Sequence, residues 1–256
     1  MQLPFNYAKF KKEERKERSH LDEKRSFLEC ERSRVFYLLM MSGGLLGAFT
    51  YCIRGGVFCN AQTGNIVLLG MAVGNGDWKG AAYFIIPITA YGIGAAVSEV
   101  LPGSVKKAGL MRWDTLLVGI EMLVTLLLGL LPESVPFQVS QVAINFICSM
   151  QYNTFRQAEG IPMATTFCTN HVRQTGISLV NWLRKGDAAY FRKSLRHGGM
   201  LLAFVVGAVL GTVLCNRFAG KAIWGASILL FIVFIDLLHA DLTKEKGMLE
   251  RVPAGH

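Results

Sequence analysis

Asn60, Gln62, Thr63 and Asn65 stand within six residues of one another in FCNAQTGNIVLL (58–69), inside a long uncharged stretch. Amides and a hydroxyl at that density have two uses at membrane depth. They can hydrogen-bond a neighbouring helix, or line a path for a polar solute. A second stretch, TTFCTNHVRQTGISLV (165–180), repeats Gln62-Thr63-Gly64 as Gln174-Thr175-Gly176 and adds His171 and Arg173. Asn60 occupies an N-cap position, and the partial positive charge of a helix start suits an anion. Gly64 leaves room for close approach of a helix or a ligand.

Three ionisable residues complete the candidate set. Glu121 lies near the middle of LLVGIEMLVTLLLGLL (116–131), where a carboxyl can take up a proton or neutralise Arg54 or Arg173. Arg173 either lines a cavity or snorkels to a surface. His171 is a proton carrier or a hydrogen-bonded structural imidazole. Asp236, closer to the end of its apolar run, reads as a helix end. Asn145 and Gln151 are expected to face inward, as a pore wall or as interhelical hydrogen bonds.

The elements that must position these residues are helices. The chain has 256 residues, 52% hydrophobic and 18% charged. Uncharged runs cover 35–53, 55–76, 80–98, 134–155 and 198–216, and two more (115–132, 222–238) contain a single acid each. Roughly 20 apolar residues carry a helix across the hydrocarbon core, where backbone polar groups must be paired internally. The predicted class is therefore an all-α, polytopic helical membrane protein.

Lys and Arg mark cytoplasmic loops. The basic stretches at 1–34, 101–112 and 183–197 vote for one side, and PESVP (132–136) for the other. Six full spans, with 60–74 and 162–182 as broken or re-entrant segments, satisfy every vote and rank first. An eight-span arrangement misplaces 101–112. The expected organisation is a charged cytoplasmic tail (1–34), a membrane domain (35–240) and a cytoplasmic C-terminal tail (241–256). Within the membrane domain, units 35–131 and 137–239 each read span, polar dip, span, span. An odd number of crossings inverts the second unit, so the triplets would enter from opposite faces, as in many secondary transporters.

Other classes find less support. The apolar residues begin too late for a secretory signal peptide, and a +9 charge concentrated in membrane-flanking segments does not suggest nucleic acid. Six cysteines lack C-x-x-C pairing and read as packing residues, and no cofactor or metal is expected. No G-x-x-x-x-G-K-[ST], H-E-x-x-H or G-x-S-x-G motif is present; Cys168 and His171, three apart, are weak evidence for thiol chemistry. Gly43/Gly47, Gly70/Gly74 and Gly207/Gly211, each four apart, are expected to let helices approach closely.

SGGLLGAFTYCIRGGVFCNAQTGNIVLLG (42–70), SMQYNTFR (149–156) and the threonine–Thr-Gly element at 169–176 resemble the YoaK-like family of bacterial membrane proteins, a domain of unknown function. The resemblance spans about 35–240 and implies some six spans in the bacterial inner membrane. It implies no activity, substrate or catalytic residue. The residues themselves lead to an expected secondary transporter or permease for a small polar, more readily anionic, solute. Its site would comprise Asn60, Gln62, Thr63, Gly64, Asn65, Arg173, Gln174, Thr175 and Gly176, with Glu121, Arg54 and His171 as proton-coupling or ion-pair candidates. The lipid bilayer and the solute are the expected partners, with a homo-oligomer open. The alternatives are a membrane scaffold or sensor and an intramembrane enzyme.

Overall fold

A computed structural model describes residues 27–108 and 111–254. The charged leader before residue 27 lies outside them. Among the described residues the chain is helical apart from one short hairpin. The helices are α1 (Ser33–Ile53), α2 (Gln62–Gly74), α3 (Trp78–Ala108), α4 (Trp113–Gly129), α5 (Phe137–Thr154), α6 (Thr169–Lys185), α7 (Ala188–Phe218) and α8 (Trp224–Leu242). Ser33–Ile53, Trp78–Val105 and the α7–α8 stretch Ala188–Leu242 are long and apolar enough to cross a membrane.

The segment 183–197, expected as a loop, is mostly helix. Gly186 ends α6 in the left-handed conformation (φ 67°), and Asp187 caps α7 by accepting the Ala189 N–H at 2.8 Å. Only two residues separate the helices, so the basic residues extend α6 and α7 beyond their apolar parts. Likewise α3 runs on through Pro102 to Ala108.

Contacts at the helix ends sort them to two faces. Residues 27–34, Arg112, Glu159 and 241–254 share the proximal end: Glu29 N–H donates to Glu245 (2.6 Å), Arg112 N–H to Asp241 (3.0 Å) and Glu159 N–H to the Glu31 carbonyl (2.9 Å). At the distal end Glu133 accepts from Arg54 (3.5 Å) and from Gly220 N–H (2.9 Å). Leu28, Glu29, Cys30 and Glu31 are buried, so the last residues before α1 pack against the rest of the chain. Their backbone and side-chain polar groups are taken up by the proximal loops.

Helix pairing follows a regular scheme. α1 lies along α7 and α3 along α5; α2 folds back on α3 and α6 on α7; α4 packs on α8; α1 also touches α8, and α4 touches α5. The α1–α7 pair is parallel and close, because a Cβ on Gly44 would sit 2.1 Å from the Phe204 carbonyl oxygen and one on Gly207 1.9 Å from that of Met41. The α3–α5 pair is parallel too, with Gly94 against Phe146 and Ser149, and Ser98 against Asn153. Backbones at that distance require glycine. Gly70 and Gly74 have nothing within 4 Å, so their spacing builds no close contact within the chain.

Two apolar clusters fill the interior. One joins Leu39, Met40, Leu117, Val118, Met150 and Met200; the other joins Leu46, Phe49, Leu128, Ile144, Cys148 and Ile223.

Candidate functional site

Each dip is a loop followed by a helix, of 13 residues in α2 and 17 in α6, and both loops reach Gly43, halfway along α1. After α1 ends at the distal face, residues 54–61 turn back inward, and Asn60 donates its Nδ2 to the Gly43 carbonyl at 2.8 Å. Helix α2 then returns outward from Gln62. After α5 ends at the proximal face, 157–162 forms a hairpin whose turn residues Glu159 (φ 45°) and Gly160 (φ 79°) are both left-handed. The chain then enters so that the Thr165 carbonyl oxygen lies 3.0 Å from where a Gly43 Cβ would be. The first loop thus meets Gly43 through a side-chain amide and the second through its backbone, and it is the Thr165–Thr166 backbone that crowds the space a Gly43 side chain would take.

Around the first dip the amides form a ladder. Asn65 is fully buried and holds the loop backbone by accepting Phe58 N–H (3.0 Å) and donating to the Phe58 carbonyl (2.7 Å). It also reaches Gln62 Oε1 (3.0 Å), Gln62 Nε2 donates to Asn145 Oδ1 (2.8 Å), and Asn145 Nδ2 donates to the Gln141 carbonyl (2.8 Å). Gln141 Nε2 in turn binds the Arg54 carbonyl (2.6 Å) and the Tyr83 hydroxyl. This polar seam runs from mid-helix to the distal end. Gln141 and Tyr83 extend it beyond the residues that the sequence singled out.

Several expected site residues lie elsewhere. Thr63 is exposed. Gly64 is required by the Phe58 ring, 2.8 Å from a Cβ placed there, rather than by a ligand. Gln62 is the first residue of α2, but Gln174 is the sixth of α6. The second triplet therefore sits more than a turn further along its helix. Thr175 returns its hydroxyl to the His171 carbonyl (2.8 Å) and accepts Ser194 on α7 (3.0 Å), while Gly176 is open and exposed. The two triplets contact different helices and form no shared site; the loops before them meet instead.

The charged candidates separate as well. Arg54 is buried at the distal end against Glu133 and the Phe49 ring. Arg173 is exposed and donates to Asn170 (3.1 Å). Neither neutralises Glu121, which is 1% exposed and finds no hydrogen-bond partner for either carboxyl oxygen among the described residues. Glu121 falls along α4 between Leu117/Val118 in one apolar cluster and Leu128 in the other. The buried hydroxyls of Ser42 and Thr165 also lack partners among the described residues. Buried polar groups are nearly always paired, so such a set is a functional signal.

His171 is buried with its Nε2 2.9 Å from the Ala164 carbonyl and its Nδ1 2.9 Å from Nδ1 of His197. A carbonyl only accepts, so Nε2 of His171 carries the proton, and in the neutral pair its Nδ1 accepts from Nδ1–H of His197. His197, inside the segment read as a loop, was not legible as its partner. Because His171 is committed to these groups, it does not pair with Cys168 as a thiol catalyst would need.

At the proximal end Arg112 reaches Asp114 (3.2 Å), the Met248 carbonyl (3.4 Å) and Cys30 Sγ (3.7 Å). Burial, then the neighbouring Asp114 charge, pushes the Cys30 thiol well up. Burial also raises Glu245, against the lowering effects of the Glu29 N–H and Arg112.

The described chain is all-helical apart from a short hairpin and its loops, with three stretches long and apolar enough to cross a membrane, the class compatible with a membrane protein. The family model described as "Protein of unknown function (DUF1275)" matches residues 35–235, and the chain belongs to that family, consistent with the YoaK-like resemblance. No curated protein matches the chain, and no solved structure matches it.

Proposed function

We propose that this protein is a secondary transporter of a small polar solute, built from two inverted units of one span, one half-helix and two further spans. The carrying observation is the convergence on Gly43 of two loops that start from opposite ends, in a chain that also buries an acid without a partner among the described residues. Exchanging α1 with α5, α2 with α6, α3 with α7 and α4 with α8 maps the helix-pairing scheme onto itself. That supports an internal two-fold of the kind that places transporter sites near the midplane. On this reading α1, α3, α4, α5, α7 and α8 are the six spans. The basic proximal end, with both described termini, faces the cytoplasm of a bacterial cell.

The solute is neutral or cationic. An anionic solute loses its supports: Arg173 is exposed, and Asn60 spends its amide on Gly43 instead of capping α2, whose N-cap is Ala61 without a side-chain bond. Glu121 is the coupling residue, because a partnerless carboxyl at mid-depth carries a proton as its neutral form and releases it when a site opens to water.

The test is uptake of a panel of small neutral and cationic solutes into proteoliposomes containing a pH-sensitive dye. The expected result is solute-driven proton movement with wild type, abolished by Glu121→Gln while uniform exchange of the solute persists. If no panel member moves with wild type, or if Glu121→Gln couples like wild type, the reading is overturned.

A further inference from the structure

The second dip borders a cavity of about 310 Å³ at the proximal end. Its wall includes Tyr152, Asn153 and Arg156 from the end of α5, with Met163, Phe167 and Asn170 from the dip and the start of α6. That volume lies at the lower edge of pockets that hold small molecules, roughly 300–1,000 Å³.

We propose that this cavity is a binding site for a small, uncharged molecule with a flat apolar face and an amide-like polar end, the proximal docking place of the transported solute. As an assignment of that solute, it rests on the transport reading. Tyr152 and Phe167 supply the flat surface, with ring centroids 4.7 Å apart and planes inclined by 58°. A tilted pair leaves ring face and edge for a third planar group.

The wall also decides the charge. Arg156 donates to Glu99 (3.1 Å), to the Asn153 carbonyl (2.6 Å) and to Asn153 Oδ1 (2.7 Å), and Asn153 itself donates to Ser98 and Glu99. An anionic or cationic ligand would have to compete with this arrangement. Asn170 offers a different handle. Its Oδ1 accepts from Arg173, and no group among the described residues takes its Nδ2 hydrogens, so it presents a donor to a carbonyl. Ala164, also in the wall, precedes Thr165, whose carbonyl abuts Gly43. Consecutive residues therefore form the cavity wall and the contact with Gly43.

The first dip carries a related aromatic pair whose rings lie closer to parallel. Tyr51 near the end of α1 stacks on Phe58, one residue before Cys59, at 4.8 Å and 27°; Phe167 likewise precedes Cys168. Asn65 holds the Phe58 backbone, and the Phe58 ring lies where a Gly64 side chain would begin. The proximal pair is the one that lines the cavity.

The experiment is equilibrium binding to the purified full-length chain in detergent, using benzamide, benzoate, benzylammonium and acetamide as probes. Benzamide is expected to bind saturably and at least about tenfold more tightly than the other three. Losing one ring contact or one hydrogen bond costs on the order of that factor. Phe167→Leu and Asn170→Ala should each weaken benzamide by about tenfold, and Tyr152→Phe, which keeps the ring, should not. Absence of saturable benzamide binding to wild type, equal binding of a charged probe, or unchanged binding in both Phe167→Leu and Asn170→Ala overturns the site. Benzamide binding without any solute flux would overturn transport and leave the cavity assignment standing; flux without benzamide binding would do the reverse.

Discussion

Gln62 and Asn145, 83 residues apart in sequence, are joined side chain to side chain at 2.8 Å. The bond ties the first turn of α2 to the middle of α5. Removing one partner strands a polar group; removing both does not. Asn145→Leu is expected to destabilise the protein by about 1–3 kcal/mol, and Gln62→Leu/Asn145→Leu by less than the two single changes added. Thermal unfolding of the four species in one detergent measures the coupling.

Glycine substitutions should divide by position. Gly44→Ala and Gly207→Ala drive a Cβ into the backbone of the partner helix and are expected to cost about 1–3 kcal/mol or more. Gly70→Ala and Gly176→Ala meet nothing within 4 Å and should be neutral or stabilising by roughly 0.5–1 kcal/mol, the helix-propensity gain of alanine. Equal losses in both groups would contradict the α1–α7 contact.

The polar residues of the first dip should also separate. Asn65→Ala removes two bonds to the Phe58 backbone and one to Gln62, for an expected cost of about 2–3 kcal/mol. Thr63→Val, at an exposed position, should change stability by less than about 0.5 kcal/mol. Comparable losses in the two variants would place Thr63 in the amide ladder after all.

The histidine pair has defined tautomers. Nitrogen-15 spectra of the neutral pair are expected to show the proton on Nε2 of His171 and on Nδ1 of His197. His197→Phe should leave the His171 tautomer unchanged, since the Ala164 carbonyl still requires a donor. A His171 protonated at Nδ1 in wild type would contradict the geometry.

Glu245 links stability to pH. Its folded-state pKa is raised, chiefly by burial, so the folded chain holds this proton more tightly than the unfolded chain. Its contribution is present below the ordinary glutamate range and is lost as pH rises through the raised value. Glu245→Gln keeps an oxygen for the Glu29 N–H and should flatten that decline. A wild-type melting profile that rises over this range, with the variant unchanged, would refute the assignment.

Local composition was enough for much of the fold. Uncharged runs announced the helices, because the bilayer's demand for about 20 apolar residues leaves a one-dimensional record. The dense amides at 60–65 announced a break in the same way. The basic 183–197 misled, since charge marks a surface equally well on a helix and on a loop. The Gln-Thr-Gly repeat misled for a related reason: three identical letters do not say at which turn of a helix they fall, and Gln174 begins a turn later than Gln62 does.

The sequence by itself determined the membrane-helical class, the polar dips and the isolation of Glu121 among apolar neighbours. Only the tertiary structure decided that Asn60 and the Thr165 carbonyl converge on Gly43, that His171 faces His197, and that Arg54 and Arg173 leave Glu121 without a partner. Periodicity and composition are properties of neighbours along the chain. These contacts join residues from 17 (Gly43 and Asn60) to 122 (Gly43 and Thr165) positions apart, and they depend on which helix faces meet when the backbones close to glycine distance.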